Sequence, residues 1–88
     1  GMTQTDPGIL IEEYRGYKII CDCNNCNTVT GRFAVITISK INKNIDEIIL
    51  SAKISIPNGA GLMNYIVEVQ SISRKFIDRY IDGEIENK

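Results

Sequence analysis

Glu47-Ile48-Ile49-Leu50-Ser51-Ala52-Lys53-Ile54-Ser55-Ile56 is the stretch on which the fold turns. Ile48, Leu50, Ala52, Ile54 and Ile56 alternate with Ile49, Ser51, Lys53 and Ser55. Successive side chains of an extended chain point to opposite faces. The alternation therefore predicts a strand over 47–56, one face buried and the other mostly wet. Pro57-Asn58-Gly59-Ala60-Gly61 stops that strand. The period then changes: Leu62, Tyr65, Ile66, Val69, Ile72, Phe76, Tyr80 and Ile81 recur at steps of three and four. That spacing predicts one amphipathic helix over 61–82, ending near Gly83, a residue suited to the left-handed turn of a helix C-terminus. Its other face carries Glu68, Gln70, Ser71, Arg74, Lys75, Asp78 and Arg79. At 1.5 Å per residue this helix would run roughly 33 Å.

Upstream of this pair the chain reads as strands. Arg32 to Lys40 sets Phe33, Val35 and Thr37 against Ala34, Ile36 and Ile38. Both sets are apolar enough for a central strand. Tyr14 to Cys21 is rich in aromatic and β-branched residues, with Gly16 a candidate bulge. Alternation places Tyr17, Ile19, Cys21 and Cys23 on one face and Lys18, Ile20 and Asp22 on the other. Ile9-Leu10-Ile11 is a short apolar run that would add a weak edge strand. The fold class that follows is α+β: an antiparallel meander of three or four strands, with one long C-terminal helix packed on one face. A single domain over residues 9–83 is expected. Residues 1–8 read as a loose leader, and Gly1 ahead of Met2 as the scar of a cleaved tag. Residues 84–88 read as a polar tail.

Composition narrows the function classes. The chain has 88 residues, 43% hydrophobic and 24% charged, enough for one small folded core. Its net charge is -1, which argues against a dedicated nucleic-acid binder and against docking on anionic membranes. No segment approaches the 18 or so apolar residues of a membrane span, and no secretory signal is visible. An odd cysteine count without such a signal points to free thiols in a reducing, cytoplasmic setting.

With the layout in place, Tyr14-Arg15-Gly16-Tyr17-Lys18-Ile19 resembles the opening strand of small bacterial domains of unknown function that begin with a Tyr-Arg-Gly-Tyr element. Those domains run in a β-β-β-α order. The resemblance implies that Gly31-Arg32-Phe33-Ala34 opens the second strand and that Phe76-Ile77-Asp78-Arg79 lies late in the helix. It implies no catalytic residues.

The one local constellation with chemistry in it is Cys21-Asp22-Cys23-Asn24-Asn25-Cys26, which holds all three cysteines of the chain. Thiolates are soft metal ligands, and Cys21 and Cys23 point the same way on a strand, with Cys26 close behind. A structural zinc site wants four ligands, and the chain has no histidine. The leading reading is that Cys21 packs as a small hydrophobe while Cys23 and Cys26 are passive. A zinc site built on Cys21, Cys23 and Cys26 is the alternative. Cys23-Asn24-Asn25-Cys26 is formally a C-x-x-C pair, but it follows a strand instead of opening a helix, where a thiol would be activated. Gly59-Ala60-Gly61 before a helix could cradle an anion, yet no P-loop lysine follows, and a strand-to-helix turn explains it more economically. Arg74, Lys75 and Arg79, with Lys18 and Lys53, form a candidate basic patch that Glu68, Asp78 and Asp82 dilute. Without histidine or an activated nucleophile, nothing assembles acid–base catalysis.

These readings converge on a non-enzymatic bacterial protein without a cofactor, a protein-interaction or regulatory module acting on an unknown protein partner. A homodimer is expected for a physical reason. A 33 Å helix is longer than the roughly 20 Å of an ordinary strand. An overhang would leave Phe76, Ile77, Tyr80 and Ile81 wet, and the sheet's second face would add Ile20 and Ile49.

Overall fold

The computed structural model describes residues 2–6, 8–23, 27–28, 31–56 and 61–83. Among these residues six strands precede one helix: β1 (Met2–Asp6), β2 (Ile9–Tyr14), β3 (Tyr17–Asp22), β4 (Asn27–Thr28), β5 (Gly31–Lys40), β6 (Glu47–Ile56) and α1 (Leu62–Ile81). Every pairing is antiparallel, and the lateral order is β1-β2-β3-β5-β6. The two-residue β4 pairs with Gly31 and Arg32 of β5, on the edge that β3 occupies further along. Four main strands, β2, β3, β5 and β6, thus form one open meander, and α1 lies across one face. This is the α+β arrangement that the change of period predicts. The strand over 47–56 appears with those bounds, and the helix falls one residue inside each expected end.

Two features differ from the sequence reading near the N-terminus. Residues 2–6, expected to be a loose leader, form an edge strand on β2. Tyr14 to Cys21 is not one bulged strand. Arg15 and Gly16 both have positive φ, 52° and 82°, and join β2 to β3 with Tyr14 opposite Tyr17. That is the primed two-residue turn whose twist matches a hairpin. Ile9-Leu10-Ile11 is accordingly the start of a full hairpin arm.

Side-chain alternation sorts the sheet as expected. Tyr17, Ile19, Cys21 and Cys23 are buried on the inner face with Ala34, Ile36 and Ile38. The helix adds Tyr65, Ile66, Val69 and Ile77. Each fully buried isoleucine here (19, 36, 38 and 77) contributes about 1.5–3 kcal/mol over an exposed one. In β6 the pattern breaks once. Ile38 pairs with Leu50 but Ser39 pairs with Ile48, so Ile49 is an extra residue on β6. This bulge turns Ile48 out to solvent, at 64% exposed, and packs Ile49 against the core. The sequence alternation puts them the other way round, because it assumes an unbroken pleat.

The helix does not overhang. β5 and β6 have ten residues each, about 33 Å of strand, which matches α1. Ile77 is completely covered by its own sheet, and Phe76 and Tyr80 are half-buried. Ile81 is exposed, yet the physical ground for a dimer through the end of the helix is mostly gone. Gly83, at φ 79°, donates its N–H to the Tyr80 carbonyl and ends the helix as its position predicts.

Candidate functional site

The cysteines come first, because they carry the only sequence-level constellation. Cys21 lies near the end of β3, and Cys23 follows it on the same face. The Cys23 N–H donates to the Gly8 carbonyl at 2.6 Å, which ties this segment to the turn between β1 and β2. The two sulfurs are 3.9 Å apart, a thiol–thiol contact well beyond the about 2.05 Å of a disulfide. Both thiols are buried, and neither is in a disulfide. Burial pushes the Cys21 thiol up to about 12, helped by Cys23 and Asp22. A protonated thiol under the helix is a small hydrophobe, not a nucleophile or a ready ligand. Cys26 lies outside the described residues. Among the described residues no third Cys, His, Asp or Glu joins the pair to make a metal-holding group. The pair itself is brought together as the sequence predicts.

The candidate basic patch does not assemble. Lys18 and Lys53 project from the outer face of the sheet, away from the helix. Lys18 pairs with Asp46 at 3.0 Å, and Lys53 sits over the Phe33 ring at 4.5 Å. Of the Gly59-Ala60-Gly61 run, only Gly61 is described. It precedes the helix with extended backbone and no side-chain cap.

What the structure builds instead is an asymmetry between the two flanks of α1. Polar side chains along the helix reach different strands. At its start, the Tyr65 hydroxyl donates to the Ser55 carbonyl of β6 at 2.7 Å. Further along, the helix packs on β3 and reaches β2. There Arg74 donates to both carboxylate oxygens of Glu12, at 2.8 and 2.7 Å. Near its end, Asp78 accepts hydrogen bonds from the Tyr14 hydroxyl at 2.9 Å and from Arg15 at 2.6 Å. Those donors hold the Asp78 carboxyl below the usual carboxylate range, Arg15 having the larger effect. The same carboxylate raises the Tyr14 phenol. This flank is closed by polar clamps.

The other flank is apolar and open. Between α1 and β6 lies a groove of about 250 Å³. Ile36, Ile38, Leu50, Ala52 and Ile54 form the floor. Val69, Ile72 and Phe76 form most of the wall, with Glu68 and Ser73 contributing the polar atoms. Ser73 is satisfied internally, its hydroxyl donating to the Val69 carbonyl at 2.8 Å. Ile72 is 56% exposed. The helical stripe places it in the core; in the structure it stands on the rim of the groove. Leu50 and Ile54, on the floor, are half-buried. Beyond the groove, β6 is the edge of the sheet among the described residues, with β5 as its partner.

No known protein family, curated protein or solved structure matches this chain. No helix among the described residues is long and apolar enough to cross a membrane.

Proposed function

We propose that this chain is a small protein-interaction module without catalytic chemistry, working through the groove between α1 and β6. One observation carries the reading. Past Tyr65, the polar anchors Arg74 and Asp78 lie on the β2 flank of α1, and the β6 flank presents a nearly unbroken apolar groove beside an exposed Ile72. An apolar groove next to a strand edge suits an extended segment. Such a segment would pair with the edge and drop alternate side chains into the groove. Buried cysteines that form no disulfide with each other support a reducing, cytoplasmic setting.

A thiolate metal site is the second reading, and the 3.9 Å approach of the Cys21 and Cys23 sulfurs favours it. Against it stands the cost of ionising a thiol whose burial pushes it up to about 12.

Methyl-resolved NMR tests the proposal. The spectra are followed while the protein is concentrated, and while peptides with alternating apolar residues are added. Leu50, Ile54 and Ile72 should respond to one treatment or the other, with Ile11 and Ile20 on the outer face unmoved. Groove methyls indifferent to both would overturn the interaction reading. Stoichiometric zinc whose removal unfolds the protein would promote the thiolate reading in its place.

A further inference from the structure

We infer that the occupant of the β6 edge is a second copy of this chain, added antiparallel about a two-fold axis near Ala52. The inference rests on the interaction reading above and names its partner.

The edge itself is the first argument. β6 is ten residues long, and its interior holds no proline and no inward-pointing charge. Exposed edges are usually blunted by such devices, because unpaired N–H and C=O groups template further pairing. The bulge at Ile49 leaves Leu50 to Ile54, the span centred on Ala52, regular in both copies.

Self-complementarity is the second. The floor beside the groove needs an extended partner with apolar residues at alternate positions. β6 is such a strand. Centring the pair on Ala52 sets Leu50 of each copy opposite Ile54 of the other, on the helix side of the sheet. Both residues are half-buried in one copy. Each would cover the other laterally, as cross-strand neighbours do. The same register puts Lys53 opposite Ser51. Centring on Lys53 would set like charges face to face, which disfavours that register. A two-fold axis perpendicular to the sheet keeps both helices on one face, so no polar helix surface needs to be buried.

Sedimentation at tens of micromolar and chemical cross-linking test this together. The wild type should sediment as a dimer. Ala52→Lys, which places two ammonium groups at the axis, should weaken the dimer at least tenfold, and Ile20→Lys on the outer face should leave it intact. Ala52→Cys, in a Cys26→Ser background, should cross-link between copies with a short bismaleimide. If Ala52→Lys does not fold, the cross-link decides alone. A monomer throughout overturns the inference, as does a dimer that Ile20→Lys dissociates and Ala52→Cys does not cross-link. A monomer whose groove methyls still answer to peptides would sink only the second copy. A monomer with an inert groove would sink the interaction reading as well.

Discussion

The Tyr65 hydroxyl and the Ser55 carbonyl oxygen lie 2.7 Å apart, joining the first turn of α1 to the end of the strand before it. This bond ties the start of the helix to β6 beside the groove, which Tyr65 also lines. Burial and the nearby Cys21, Glu68 and Cys23 raise the Tyr65 phenol, so it stays a donor at any physiological pH. Tyr65→Phe keeps the ring and loses the bond. It should destabilise the fold by about 0.5–1.5 kcal/mol in chemical denaturation.

Asp78 gives the molecule an acid-side pH dependence. Its folded carboxyl is held below the ordinary value by Arg15 and Tyr14. A carboxyl depressed on folding contributes stability above its unfolded value of about 3.9, and that contribution is lost as pH falls through the lower folded value. Asp46, lowered by Lys18 and the Asn42 N–H, acts in the same direction. Denaturation midpoints measured from pH 6 down to pH 2 should fall. Asp78→Asn should flatten that fall, with the midpoint already reduced at pH 6. An unchanged slope would mean that the clamp at Tyr14 and Arg15 carries no linkage.

The core should respond unevenly to truncation. Ile36 and Ile77 are fully covered, whereas Ile54 borders the groove and is half-buried. Ile36→Ala or Ile77→Ala should cost about 2–5 kcal/mol. Ile54→Ala should cost clearly less than either in the monomer, because part of its surface is already wet. Equal losses at all three sites would show the groove to be closed in solution.

The β2–β3 turn should be sensitive through its backbone alone. Gly16 sits at φ 82°, and a Cβ there would touch nothing within 4 Å. Gly16→Ala should therefore cost about 1–2 kcal/mol from left-handed strain without any clash. Loss of the Tyr14–Tyr17 register would be seen as faster amide exchange along β2 and β3.

The thiols should be silent. At pH 8 neither Cys21 nor Cys23 should react with an aromatic disulfide reagent in the folded protein, and both should react fully in denaturant. Fast labelling of Cys21 in the native state would contradict a thiol pushed up to about 12 by burial.

Much of the fold was legible because two periods are written plainly. Alternation through Ile56 and the three-four spacing after Leu62 reflect which side chains face one another, and both survive into the structure. What failed to be legible are events of a single residue. Arg15 adopts a left-handed conformation that little in its chemistry favours, so a hairpin turn reads as strand. Ile49 is one isoleucine among several, and only its pairing opposite β5 reveals it as the bulge. The groove was hidden for another reason. A helical stripe says which residues share a face, but not the angle at which that face crosses a sheet. The side chains that tie the helix to the strands, Tyr65, Arg74 and Asp78, find partners 10, 62 and 64 residues away. The approach of Cys21 and Cys23 was readable, since neighbours two apart on a strand always share a side.

α1 follows every strand that it covers, which has a consequence during synthesis. Until the ribosome has delivered residues 62–81, the inner row of Ile19, Ile36 and Ile38 has no lid. At 5–20 residues per second the lid takes roughly 1–4 s to emerge, longer than hairpins need to form. A nascent sheet therefore waits with one greasy side bare and an unpaired border along β6. Two nascent or newly released chains could meet along that border before either helix docks.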